Sequence, residues 1–174
     1  MTQRKMRLLF VSTKNSVRSQ MAEGFARALG KGRVESFSAG THPTSVHPLA
    51  IKAMAEVGID ISGQTSKPLD PFLEQTFTYV ICVSDRAAEA CPVWPKAREL
   101  VRWSFEDPAA AKGSEQQRLA AFRKVRNKIQ QRLNLALLAA KIHVEMPSRR
   151  TAARPPRSED HSLSGGLSSN SLSW

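Results

Sequence analysis

Met6-Arg-Leu-Leu-Phe-Val-Ser-Thr-Lys-Asn-Ser-Val-Arg-Ser-Gln-Met-Ala-Glu-Gly24 is the stretch on which the reading of this chain turns. Residues 6 to 11 form an apolar run of strand length. A polar loop, Ser12 to Ser16, follows. Helical periodicity then starts at about Val17 and continues to Leu29, with Met21, Phe25, Ala28 and Leu29 on one face. Gly30 and Gly32 end it. A strand passing through a short polar loop into a helix brings backbone N–H groups and the positive helix end to one spot, which is an anion cradle. Thr13, Lys14, Asn15, Ser16 and Val17 would supply the cradle's backbone. Arg18, at the helix mouth, can fork two donors onto an oxyanion, and Ser19 can add a hydroxyl. The alternative is an ordinary strand-to-helix loop that happens to hold an arginine.

Working outward, the same alternation repeats. Residues 33 to 38 read as a second strand, and Ala39-Gly40 as a turn. A helix from about Pro48 to Val57 ends at Gly58. Residues 78 to 83 (Thr-Tyr-Val-Ile-Cys-Val) are β-branched and apolar, hence a central strand, and Leu100 to Trp103 is a short fourth one. From Ser114, with Gln117 completing a capping box, a long helix carries Leu119, Phe122, Val125, Ile129, Leu133 and Leu137 to about Lys141 or His143. Alternating strands and helices predict a parallel sheet covered on both faces. After Met146 the composition turns to Pro, Ser, Arg and Gly, too apolar-poor to order itself. Residues 1–146 therefore read as one domain and 147–174 as a disordered basic, Ser-rich tail.

Composition narrows the function classes. A chain of 174 residues can bury a core without staples. No apolar run is long enough to span a bilayer, and the run Leu8 to Val11 is too short for a signal segment, so a cytoplasmic protein is expected. Two cysteines, Cys82 and Cys91, make no disulfide framework and suit a reducing compartment. No Cys/His cluster has metal-ligand spacing. The net charge of +11 invites a nucleic-acid reading, but with aromatics at 6% and no nucleic-acid motif it reads as a solvated basic surface, part of it an oxyanion pocket.

The segment Asn15-Ser-Val-Arg-Ser-Gln-Met-Ala-Glu-Gly24 resembles the signature of thioredoxin-coupled arsenate reductases built on the low-molecular-weight tyrosine phosphatase fold. The likeness continues in Ser38-Ala-Gly40, Val46-His-Pro48, Glu56-Val-Gly-Ile-Asp-Ile-Ser62, Asp85-Arg-Ala-Ala-Glu-Ala-Cys-Pro92 and Trp103-Ser-Phe-Glu-Asp-Pro108, covering roughly residues 6 to 140. It implies a three-layer α/β fold around a four-stranded parallel sheet. It also implies arsenate or phosphate as the bound oxyanion, thioredoxin or another thiol as reductant, and no cofactor. In such enzymes a cysteine at the first loop position attacks the oxyanion, Arg18 would hold the transition-state charge, and Asp107 would protonate the leaving oxygen. Read locally, Asp107 is also simply a turn residue before Pro108.

The likeness breaks at chemically decisive places. Position 12 is Ser12, an alcohol with no base in the loop to activate it. This implies a chain that binds oxyanion but is impaired in turnover. The family's redox relay uses two further cysteines seven residues apart; Cys91 matches the outer one, while the inner position is Ser84. Cys82, two residues earlier, is either a substitute in that relay or an inert strand cysteine. Some relatives hold potassium where this chain has Asn15, Glu23, Ser38 and Lys67. Lysine cannot ligate a cation, so no metal is expected, and the Lys67 ammonium is expected to pair with Glu23. Val17 and Lys14 are lesser departures. Two other functions stay open beside arsenate reduction: a low-molecular-weight phosphotyrosine phosphatase, and a non-catalytic oxyanion- or phosphoprotein-binding module.

Overall fold

A computed structural model describes the backbone of residues 4–145 and the side chains of 4–140. The tail expected at 147–174 lies outside the described residues. Four strands, β1 (Met6–Ser12), β2 (Val34–Gly40), β3 (Phe77–Cys82) and β4 (Ala97–Arg102), form one sheet in the order β2-β1-β3-β4. All three pairings are parallel, with Phe10 opposite Ser38 and Ile81, and Cys82 opposite Val11 and Arg102. The helices are α1 (Arg18–Gly30), α2 (Pro48–Ala55), α3 (Asp85–Ala90) and α4 (Glu115–Glu145). Single 3-10 turns lie at Asp70–Phe72 and Pro108–Ala110.

Strand alternation divides the core into two layers. Leu8, Phe10, Ile81 and Val83 pack on α1, α2 and α4 through Met21, Phe25, Met54, Phe122 and Ile129. Leu9, Val11, Val80 and Cys82 point the other way, onto Phe72, Ala87 of α3 and Trp94. The predicted three-layer α/β architecture is therefore the one observed. Because β2 lies on one side of β1 and β3 on the other, the chain reverses direction across the sheet at the carboxyl end of β1. Open parallel sheets place their crevice at that switch point, and the loop after Ser12 occupies it.

Local differences from the sequence reading have physical causes. Gly30 is the last residue of α1 rather than its stop. A Cβ there would stand 2.5 Å from the Cβ of Val34, and Lys31 takes the left-handed cap at φ +45°. Ala39-Gly40 belongs to β2 rather than to a turn, because β1 remains paired as far as Gly40. The fourth strand runs earlier than Leu100–Trp103: its pairing begins at Ala97 opposite Phe77. The capping box at α4 is complete, with Gln117 N–H donating to Ser114 Oγ (3.2 Å) and Ser114 N–H to Gln117 Oε1 (2.9 Å).

Candidate functional site

The loop between β1 and α1 is built by its own polar groups. Asn15 takes φ +48°, a left-handed conformation that asparagine tolerates better than most residues. Its side chain then secures the bend. Asn15 Nδ2 donates to Ser19 Oγ (2.9 Å), while its Oδ1 accepts from Lys67 N–H (2.8 Å) and Gln20 Nε2 (3.0 Å). Ser66 Oγ donates to the Asn15 carbonyl at 2.5 Å. The other carbonyls of the loop face the segment after β2. Ser12, Thr13, Lys14 and Ser16 accept from the backbone N–H groups of Thr41, His42, Thr44 and His47 at 2.8 to 3.2 Å.

With its carbonyls so occupied, the loop is left with donors. The amides of Thr13, Lys14, Ser16, Val17 and Arg18 donate to no protein acceptor among the described residues. Buried or half-buried N–H groups ordinarily find partners. Several without one, at a helix N-terminus, are what an anion-binding concavity requires. Val17 provides no side-chain cap for α1, so the helix end also stays open.

Ser12, buried at 3% exposure, sits at the floor. Its Oγ lies 2.7 Å from Ser19 Oγ and accepts from the Asn15 amide at 3.0 Å. These groups would favour an anion at position 12. A serine hydroxyl nevertheless remains an alcohol, and among the described residues no carboxylate or imidazole is hydrogen-bonded to it. Arg18 is anchored by Nη1 donating to the Phe105 carbonyl (2.8 Å), and its Nη2 stands 3.8 Å from Asp107 Oδ2. Burial lowers the Arg18 pKa while Asp107 and Asp85 raise it again; a guanidinium stays charged throughout the working range. Asp107 Oδ1 caps the turn at Ala109 N–H (3.0 Å). Asp107 is thus both the turn residue that the local reading suggests and a carboxylate at the mouth of the loop.

Glu23, Ser38 and Lys67 stand behind the loop. Ser38 Oγ donates to Glu23 Oε2, and Lys67 Nζ lies 3.7 Å from the same oxygen and 2.7 Å from the Thr65 carbonyl. Two further supports went unmarked in the sequence. Gln20, fully buried, donates to the carbonyls of Asn15 and Thr65 at 3.0 Å. Gly40 presses so close that a Cβ would stand 2.7 Å from Thr13 O and 2.9 Å from Asn15 N. The Gln20–Thr65 and Gly40–Thr13 contacts join residues distant in sequence, which no local pattern announces.

Cys82 ends β3, Ser84 follows Val83, whose N–H donates to the Val11 carbonyl (2.9 Å), and Cys91 follows α3. By strand alternation Cys82 points to the α3 side of the sheet, whereas Ser12 points to the α1 side. Ser84 is the N-cap of α3, its Oγ accepting from Ala87 N–H at 3.3 Å. Cys91 caps the other end of α3 and packs on the cluster that contains Cys82. Both cysteines therefore belong to the α3 layer, while the Ser12 side chain belongs to the α1 layer.

A four-stranded parallel sheet with its donor-rich loop at the switch point defines the phosphatase-like class of α/β proteins. Within it, the chain belongs to the low molecular weight phosphotyrosine protein phosphatase family, which matches residues 7–147. It is 43% identical over 126 residues to an arsenate reductase of Halalkalibacterium halodurans, spanning 72% of this chain and 91% of that one. It is 41% identical over 127 residues to a glutaredoxin arsenate reductase of Synechocystis sp., spanning 73% and 92%. Among solved structures, an arsenate reductase in the phosphate binding state superposes with a TM-score of 0.66 at 40% identity, over 79% of this chain and 98% of that one.

Proposed function

We propose that this chain is an arsenate-reductase-type protein whose loop from Ser12 to Arg18 binds a tetrahedral oxyanion, arsenate or phosphate. The observation that carries this reading is the set of loop amides without acceptors, gathered at the helix mouth beside Arg18. With cysteine at position 12 the loop would support thiolate attack on the oxyanion, Asp107 protonating the leaving oxygen and Arg18 holding the added charge. With Ser12 in that place the thiolate chemistry is missing, and the chain binds the oxyanion without turning it over. Any reductive cycle draws on a thiol reductant of the thioredoxin or glutaredoxin kind.

The test is calorimetric titration of the purified chain with arsenate and with phosphate. Saturable binding that Arg18→Ala abolishes is expected; no heat at about millimolar ligand would end the oxyanion reading. Ser12→Cys is expected to gain hydrolysis of an aryl phosphate. Failure of a folded Ser12→Cys variant to do so would mean that the loop lacks the geometry of a working cradle.

A plain phosphotyrosine phosphatase needs only the loop and Asp107, and would have no use for Cys91 and the segment around it. The presence of that segment favours the reductase. Tight binding of a phosphopeptide, with weak binding of free arsenate, would favour a phosphoprotein-binding role instead.

A further inference from the structure

The oxyanion loop does not account for the polar groups gathered at its rim. Beside the loop stand the start of α2, the first turns of α4 and the turn at Asp107. His47, the N-cap of α2, is tied to the loop's own edge, because its backbone N–H donates to the Ser16 carbonyl at 3.0 Å. Its ring stacks on Phe122 of α4, with centroids 4.8 Å apart. Arg118 lies one turn earlier than Phe122 on the same helix face, and helical side chains lean toward the N-terminus. Lys52 of α2 holds Glu115 at 2.7 Å, which fixes that first turn of α4 beside α2. Arg118 is thereby brought next to the His47 ring.

The charges at this rim do not cancel. Lys52 is matched by Glu115, and Glu106 by Lys124 and Lys128. Asp107 faces Arg18. Arg118, which is half-buried, and the exposed Lys14 form no ion pair among the described residues. The His47 ring accepts from Leu49 N–H at Nδ1 (3.1 Å), so the neutral ring carries its proton on Nε2. That N–H meets no acceptor among the described residues. Burial first, then the charge of Arg118, lower the His47 pKa against the opposite pull of Asp107, and the ring is neutral at pH 7.

We propose that Arg118 and the His47 Nε2–H form a second anion position beside the loop, and that the preferred ligand class is a diphosphate. One phosphoryl group sits on the loop amides and Arg18. The other, one bridging oxygen away, sits on Arg118 and His47. The proposal rests on the oxyanion reading of the loop and adds what the tetrahedral group is attached to. A guanidinium offers paired donors that match a phosphoryl group, and the imidazole adds one more. Lys14 adds charge from the exposed side. Asp107 opposes the second group, and Arg18, 3.8 Å from it, offsets that repulsion. A lone phosphate ion fills only the loop and leaves Arg118 without a partner. Binding alone is involved; no bond is made or broken.

The experiment is calorimetric titration of the full chain with pyrophosphate and with phosphate, near neutral pH in chelator-treated buffer. Pyrophosphate is expected to bind at least about tenfold tighter than phosphate. Arg118→Ala, and independently Arg118→Gln, are expected to cut that preference to about threefold or less. His47→Asn keeps a capping side chain on α2 but loses the Nε2–H, and is expected to lower the preference by about threefold. Arg33→Ala removes an equal charge at the other end of β2 and is expected to leave the preference unchanged. Arg18→Ala is expected to abolish binding of both ligands. Circular dichroism identifies the variants that are folded. Phosphate bound as tightly as pyrophosphate would overturn the second position and leave the loop reading standing, whereas a chain that binds neither ends both. A preference that survives in folded Arg118 variants, or that falls equally in Arg33→Ala, would mean adsorption to net charge and would also overturn the proposal.

Discussion

Gly40 shows how little space the loop has. It sits at the carboxyl end of β2, paired with Ser12, and its missing side chain lets Thr13 and Asn15 close over it. A methyl group there meets backbone atoms rather than a flexible side-chain end, so the loop itself must move. Gly40→Ala is expected to weaken phosphate binding by at least about tenfold, or roughly 1.4 kcal/mol, while the fold persists. Titration of that variant against the wild type checks it; equal affinity would mean that the loop yields without cost. The residues that touch the loop from within, Ser12, Arg18 and Ser19, are legible in the sequence because strand, loop and helix follow one another there. Gly40, Gln20 and Thr65 are not, because Gly40 meets the loop through its pairing with Ser12, and Gln20 and Thr65 meet across 45 residues of chain.

Among the elements, α4 was the plainest in the sequence and α3 the most obscure. The six residues Asp85–Ala90 bury only Ala87, so no apolar period marks them as helical. The helix α4 has both the period and the start signal: Leu119, Phe122, Val125, Ile129 and Leu133 are buried, and Ser114 and Gln117 cap each other's N–H groups. Ser114→Ala removes the acceptor for the Gln117 amide. It is expected to destabilise the protein by about 1 kcal/mol, read as a lowered denaturation midpoint with an unchanged slope. β4 begins before its apolar residues do, because its sequence, Ala-Arg-Glu-Leu-Val-Arg, belongs to an edge strand that is largely exposed. There, pairing with β3 sets the limits and hydrophobicity does not.

Across the whole molecule, one charged cluster ties α2 to α4. Glu56 accepts from Arg123 at 2.6 and 2.9 Å and from Arg126 at 3.0 Å, and Arg126 also donates to the Ala53 carbonyl at 2.7 Å. The Arg123 hydrogen bond first, then those from Arg126, hold the Glu56 carboxyl at about 2 against an ordinary 4.5. Because the folded value is the lower one, the unfolded chain takes up the proton first as pH falls. The contribution is fully present above 4.5 and disappears as pH approaches 2. Glu56→Gln is therefore expected to flatten the acid limb of the stability curve, seen in denaturation midpoints between those two pH values. An acid limb as steep as the wild type's would show that the cluster contributes nothing across the interface.

The two-sided sheet also limits how the chain can change over evolutionary time. Residues along β3 alternate between the helix layers, so a cysteine moved by one position would change compartments and meet the α1 layer instead of α3. A move of two positions keeps its address. From Cys82 a side chain that steps back to Val80 stays in the α3 layer, whereas a step to Ile81 or Val83 puts it among the residues of α1, so the strand acts as a ruler marked in twos.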